Sequence, residues 1–153
     1  MTPKELKILT EIRSMELFND LDPAHLHKLV SIATEANFSP GEIIYEEGEV
    51  GRAIYLVQEG EVTIEMVLSD RMVTLFTVGA GHLFGWSSLF AERRKQARAR
   101  VTEPTRAITI DAAQLRDLFR SDHQLERVIM HRMTQVIAER VYSARLQLAK
   151  ALS

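Results

Sequence analysis

The segment Phe84-Gly85-Trp86-Ser87-Ser88-Leu89-Phe90-Ala91-Glu92-Arg93-Arg94-Lys95-Gln96-Ala97 gathers the residues best suited to hold an anion. Hydroxyls at Ser87 and Ser88 can donate hydrogen bonds beside a glycine, or they can cap a short helix after it. Arg93, Arg94 and Lys95 bring cations within a few residues. An arginine would grip an oxyanion with a planar fork, whereas a lysine offers a compact point charge. Either cation sits on an anion-binding loop or on a solvated surface turn. Trp86 plugs a pocket, stacks on a flat ligand, or is an ordinary core residue. Arg98 and Arg100 are two apart, so on a strand they share one face, and a solvated face is expected for them.

Other chemistry is poorly supplied. The chain has no cysteine, which removes disulfides, thiolate metal sites and a cysteine nucleophile. His25 and His27 are two apart on a helical stretch and face differently, so they make no metal pair. His82, His123 and His131 are isolated and are expected at the surface or an interface. No Ser-His-Asp set, phosphate loop or carboxylate pair with a defined role is evident, so no enzymatic activity is expected.

The elements that must position the segment follow from pattern. Thr2, Pro3 and Glu5 predict a capped helix with Leu6, Leu9 and Ile12 at helical spacing. Asp22-Pro23 opens a second helix, with Leu26, Leu29, Val30 and Ala33 on one face. From Phe38 to about Ile110 the texture changes to short apolar runs broken by glycine. Strands are expected at 42–45, 53–57, 62–66, 72–78 and 105–110, with a tight turn at Glu59-Gly60-Glu61 and another at Ser69-Asp70. Many short strands with regular turns imply a sandwich or barrel. Asp111 then caps a helix containing Leu115, Leu118 and Phe119.

A last helix is expected from about Asp122 to Leu152, roughly 45 Å long. Leu125, Ile129, Met133, Ile137, Val141, Ala144 and Leu148 recur along it at spacings of 4, 4, 4, 4, 3 and 4. Such a seam either folds back on the barrel or, on a projecting helix, asks for a partner helix; the partner is expected for the second half, and a homodimer is the simplest symmetric answer. The seam from Ile129 through Met133, Ile137, Val141, Ala144 and Leu148 is therefore the expected dimer interface. The division is 1–37 for leading helices, 38–110 for the barrel and 111–153 for the trailing helices.

Composition fits this scheme. The 153 residues are 46% apolar and 26% charged, enough for one core and a soluble surface. Lys and Arg number 19 against 21 Asp and Glu, which gives no global pull toward nucleic acid or acidic membranes. No apolar run approaches the ~20 residues of a membrane span. The first turns mix charge throughout, unlike a signal peptide, so a cytoplasmic location is expected.

The glycine placement carries a resemblance. Phe38-Ser39-Pro40-Gly41-Glu42-Ile43-Ile44-Tyr45-Glu46-Glu47-Gly48 resembles the opening of the cyclic-nucleotide-binding barrel. Ala53-Ile54-Tyr55-Leu56-Val57-Gln58-Glu59-Gly60-Glu61-Val62 is similar to its next two strands, and Gly79-x-Gly81-x-x-Phe84-Gly85 to the approach to its ligand cassette. The likeness spans about residues 14 to 145. It resembles the effector domain of catabolite-activator and FNR-like regulators. It implies a mainly β fold with flanking helices (α+β): a jelly-roll, or double-stranded β-helix, barrel with a long dimerisation helix. The implied function is a regulatory or sensor domain that signals through that helix, and a protein partner in signalling would fit. The helix-turn-helix of such regulators does not follow before Ser153, so direct nucleic-acid reading is not expected.

The resemblance also assigns the ligand site. In the family a short helix after the glycine, an arginine and a glutamate hold the cyclic phosphate and the ribose hydroxyl. Here Gly85, Leu89 and Ala97 match. Trp86 stands in the glutamate position, Lys95 in the arginine position and Gln96 in the Ser/Thr position, while a one-residue slip would put Arg94 there. Indole cannot accept the ribose hydroxyl, and losing such a partner costs on the order of 10⁴ in selectivity. The expected effector is a small anion, with an unusually bound cyclic nucleotide (cAMP or cGMP) among the candidates. The expected ligand-binding residues are Phe84, Gly85, Trp86, Ser87, Ser88, Arg94, Lys95, Gln96 and Ala97. The competing expectation is a docking protein whose pocket binds nothing.

Overall fold

The computed structural model describes residues 1–90 and 94–153. Thr2 opens α1 (Pro3–Arg13) with a reciprocal cap. Its hydroxyl accepts from the Glu5 amide at 3.1 Å, and the Glu5 carboxylate accepts from the Thr2 backbone. The buried side of α1 is Ile8 and Ile12, while Leu6 of the expected stripe faces solvent. A 3₁₀ turn at Glu16–Phe18 leads to α2 (Pro23–Val30), where the Asp22 carboxylate accepts from the Ala24 amide at 2.8 Å.

Ala33, expected on the apolar face of α2, instead begins β1 (Ala33–Phe38). The sheet therefore starts before residue 38. β1 pairs antiparallel with β6 (Arg98–Asp111) from Ala33↔Ile110 to Phe38↔Thr105. Its alanines and glutamate are weak strand formers. The ladder outweighs propensity here, helped by the Thr34 and Thr109 hydroxyls, which meet at 2.7 Å.

The other strands are β2 (Ile43–Tyr45), β3 (Ala53–Leu68), β4 (Arg71–Gly79) and β5 (Leu83–Phe84). Neighbours run β1-β6-β3-β4, with β2 also on β6 and β5 also on β3, all antiparallel. This is a jelly-roll barrel with flanking helices. The hairpin turn at Ser69-Asp70 has φ of 51° and 66°, the two positive values that a tight strand-to-strand reversal requires.

The expected turn at Glu59-Gly60-Glu61 is not a turn. β3 runs through it, paired to β6 on both sides, and the register shifts between Val57 and Val62 mark a bulged corner. Gly60 sits there at φ 98°, and a Cβ on it would lie 2.3 Å from the Pro104 carbonyl oxygen. Both strands bend together, so the bend that read as a reversal leaves the chain running on.

Two apolar clusters result. Val57, Val62, Ile64, Val78, Phe84, Ala99 and Val101 fill the barrel. The outer side of Ile54, Leu56, Ile108 and Ile110 is covered by Ile12, Leu29, Leu115, Leu125 and Ile129 from the helices. Asp111 caps α3 (Ala112–Ser121) by accepting from the Gln114 amide at 2.9 Å. Asp122 caps α4 (His123–Leu152), accepting from the Leu125 amide at 3.0 Å. It also receives Lys28 at 2.7 Å and lies 3.3 Å from His25, tying α2 to the start of α4. Lys28 and the Leu125 amide hold the Asp122 carboxyl down at about 2. His25 is buried in this junction.

α4 does not project. It folds back over β4, whose Arg71 reaches the Ala151 carbonyl, and the Arg140 guanidinium donates to the Leu83 carbonyl of β5 at 3.0 Å. Ile129 and Met133, expected at a dimer seam, are buried in this chain's own core. The barrel and α3 cover that face of the helix. Ala144 and Leu148 are half-buried, and Val141 is 51% exposed. Among the described residues no helix is long and apolar enough to cross a membrane.

Candidate functional site

Ser87, Ser88 and Lys95 meet because the chain leaves β5 through a glycine. Gly85 adopts φ 86°, and a Cβ there would stand 3.0 Å from the Ala53 carbonyl oxygen and 3.1 Å from the Tyr55 ring. The chain then makes a single 3₁₀ turn, Trp86–Leu89. That turn is too short to supply the helix-terminus anion site that the resemblance implied.

Beside it opens a cavity of about 390 Å³. Its walls are mostly apolar: Tyr45 of β2, Ile64 of β3, Leu75 and Phe76 of β4, Phe84, Trp86, Phe90, Ala97 and, from α4, Ile137. Ser87, Arg94, Lys95 and Gln96 are the polar lining. Eight of the nine expected ligand-binding residues therefore share one cavity. The ninth, Ser88, is buried and stands one layer back against Lys95. Arg93, part of the basic run, lies outside the described residues.

Lys95 is the centre of the arrangement. It is only 4% exposed. Its ammonium donates to the Gly85 carbonyl at 3.2 Å and to the Ser87 and Ser88 hydroxyls, each at 3.0 Å. It also sits 4.4 Å from the centre of the Tyr45 ring, within cation–π range. All these partners are uncharged, and among the described residues no carboxylate pairs with it. Burial accordingly pulls the lysine down to about 8. Burial also pushes the Tyr45 phenol well up, keeping it neutral.

Gly51 makes room for this lysine. A Cβ at residue 51 would fall 2.2 Å from the Ser88 hydroxyl and 2.5 Å from Lys95 Cε. Arg94, the other candidate cation, points differently. It is exposed, bridges to Val50 in the sheet and donates to the Gly48 carbonyl at 2.8 Å, leaving it on the cavity rim. Adjacent extended residues alternate in direction, so one of the two had to be buried.

Trp86 is fixed in the wall. Its ring stacks on Phe76 with centroids 6.2 Å apart and planes at 15°, and the Arg140 guanidinium lies 5.2 Å over the same Phe76. Tyr55 and Phe84 stack at 4.7 Å beneath. The tryptophan therefore narrows the site without filling it. Arg98 and Arg100 do share a face, as their spacing predicts, but they are not simply solvated. Both donate to Glu65, at 2.8 and 2.9 Å, away from the cavity. Among the described residues no cluster of His, Asp and Glu could hold a metal ion.

Sequence reasoning missed Gly51 and the walls supplied by Tyr45, Ile64, Leu75, Phe76, Phe90 and Ile137. Ile64 carried a signal, since it alternates with Thr63 and Glu65 on a half-buried strand. Leu75, Phe76 and Ile137 carried none, because the β3–β4 register, which sets Phe76 opposite Ile64, and the return of α4 over β4 are both long-range.

Known proteins resemble this chain in sequence and fold. The sequence model of the cyclic nucleotide-binding domain matches residues 35–122, more than half of the chain. The chain is 30% identical over 142 residues to the cyclic AMP receptor protein of Thermus thermophilus, across 90% of this chain and 62% of that protein. It is 32% identical over 82 residues to the cyclic nucleotide-gated channel alpha-4 of Mus musculus, across 53% of this chain and 14% of that protein. It thus spans less than two thirds of the length of both. Among solved structures, the Thermus thermophilus catabolite activator protein matches with a TM-score of 0.70 at 28% identity, over 88% of this chain and 62% of the other. A cyclic nucleotide-binding domain from Methylobacillus flagellatus gives a TM-score of 0.80 at 22% identity, over 95% and 83%, and so shares the fold.

Proposed function

The chain belongs to the cyclic nucleotide-binding domain family, and from that premise we propose that it binds a small anionic effector beside Lys95 and signals the occupancy of that cavity through α4. The observation that carries this reading is a buried ammonium whose partners among the described residues are all neutral, lining a cavity that α4 closes with Ile137. An anion arriving there supplies the missing counter-charge. It also drives the ammonium, the 3₁₀ turn and α4 into one preferred packing. Such a device works only through different affinities for two packings of the helix.

The proposed readout is a second copy of the chain. The far end of α4 leaves Val141, Tyr142, Leu146 and Leu152 exposed on the side away from the barrel. A dimer contact there would share Val141 with the stripe that begins at Ile129 and add Tyr142, Leu146 and Leu152 to it. Relatives named for cyclic AMP and for cyclic nucleotide gating support cAMP or cGMP as the first effectors to try.

The test is thermal unfolding of the full chain with saturating cAMP, cGMP and other small organic anions. A ligand at about 100 times its Kd adds ~2.7 kcal/mol and raises Tm by a few degrees. An unchanged Tm with all of them sinks the effector reading and leaves a docking module built on the same fold.

A further inference from the structure

The cavity's lining is mostly apolar with a small polar set. That set is Ser87, Arg94, Lys95 and Gln96. The rest is ring and hydrocarbon, with Tyr45, Phe76 and Trp86 as flat walls. Among the described lining residues there is no carboxylate. The position after Gly85 holds an indole stacked on Phe76, and an indole donates but does not accept.

A ligand that suits this lining has one anionic head and a flat body without hydroxyls. A ribose would carry its hydroxyls against walls that are mostly ring and hydrocarbon, where the Ser87 hydroxyl and the Gln96 amide are the described side chains placed to accept them, and each hydroxyl left buried and unpaired weakens binding roughly tenfold. An aromatic ring would stack on walls already built of rings. A lysine also sets weaker geometric demands than an arginine. Its point charge suits a carboxylate as readily as a phosphate diester. The volume of about 390 Å³ admits one or two fused rings but not an extended chain.

We infer that the effector of this chain is an aromatic organic anion, such as an aryl carboxylate, held at its head by Lys95 and stacked between the Phe76–Trp86 pair and Tyr45. This rests on the effector reading above and narrows its ligand class. No hydroxyl recognition is required, so the ligand need not be a nucleotide.

The experiment is calorimetric titration of the full chain with benzoate, 2-naphthoate and 4-biphenylcarboxylate, with 2-naphthamide as the neutral counterpart, and with cAMP and cGMP. The same titrations are run on Lys95→Met. The expected result is that at least one carboxylate binds about tenfold or more tighter than either cyclic nucleotide. That carboxylate also loses its advantage over the amide in Lys95→Met. The amide keeps the test valid on the wild-type chain alone if the variant does not fold.

Tighter, Lys95-dependent binding of cAMP or cGMP than of every carboxylate overturns the ligand class and leaves the effector site standing. Equal binding of 2-naphthoate and 2-naphthamide overturns it as well, because the charge then does nothing. No binding by any of these compounds overturns the ligand class and the effector reading together.

Discussion

Two buried charges lie in the same barrel and are treated in opposite ways. Glu65 on β3 is 3% exposed and Lys95, just before β6, is 4% exposed. Glu65 receives Arg98 at 2.8 Å and Arg100 at 2.9 Å, with a second contact from Arg100 at 3.3 Å. Burial alone would raise its carboxyl, but the hydrogen bonds from Arg100 and Arg98 outweigh that and hold it below the ordinary range. Lys95 has hydroxyls, a carbonyl and a ring, and burial pulls it down. The first charge is complete within the chain. The second is solvated by dipoles, with no neutralising carboxylate among the described residues, which is the condition of a site that takes an ion.

The largest effect that separates the two is on stability. Glu65→Gln leaves two guanidinium groups without their carboxylate. Both reach solvent in part, so the loss falls below that of a fully buried pair, at about 2 kcal/mol. Lys95→Met removes a buried charge along with its hydrogen bonds, and these effects oppose each other. It is expected to stay within about 1 kcal/mol of the parent when no ligand is present. Chemical denaturation of both variants measures this. If Lys95→Met costs as much as Glu65→Gln, the lysine is a structural pin and the contrast fails.

How much of this contrast was legible before the fold was known depended on the range of each contact. Arg98 and Arg100 could be placed on one face because strand period is local. Their partner could not, because Glu65 meets them only through the β3·β6 register. The capping residues Thr2, Asp22 and Asp111 were legible for the same local reason. The barrel itself was legible through glycines whose spacing reflects required bends. β1 was not, since Ala33 to Phe38 becomes a strand only by pairing with β6. The seam on α4 misled for a physical reason. A helix stripe states that something covers it but not what, and here the barrel covers Ile129 and Met133. The choice between Arg94 and Lys95 rested on one residue of register, which the bridge between Val50 and Arg94 sets.

A middle-sized effect comes from moving Lys95 without removing it. A methyl group at Gly51 would meet the Ser88 hydroxyl and Lys95 Cε at 2.2 and 2.5 Å. Both are side-chain atoms that can swing aside, so Gly51→Ala is expected to fold. The ammonium is then pushed off its position beside Gly85, and affinity for the anionic effector falls on the order of tenfold, about 1.4 kcal/mol. Titration of Gly51→Ala against the parent reads this. Unchanged affinity would mean that the lysine position does not matter to the ligand.

The smallest effect is a pH dependence that only Lys95 can produce among the two buried charges near neutrality. Its proton leaves at about 8 in the folded chain, against the ordinary lysine value of ~10.4 in the unfolded one. Between these values the unfolded state binds more protons than the folded state. Stability therefore gains a rising contribution from pH 8 to about 10.4, because the buried charge has been discharged. Anion binding runs the other way. It needs the ammonium, so affinity is level below the lysine's value, falls about twofold by pH 8 and continues down above it. Glu65, held low by its arginines, contributes to neither trend in this window. Unfolding and titration of the parent and of Lys95→Met at pH 7, 8 and 9 measure both slopes. Opposite signs in the parent and flat lines in the variant assign them to one proton on one ammonium. Slopes that persist in Lys95→Met place the titrating group elsewhere and remove the distinction between the two charges.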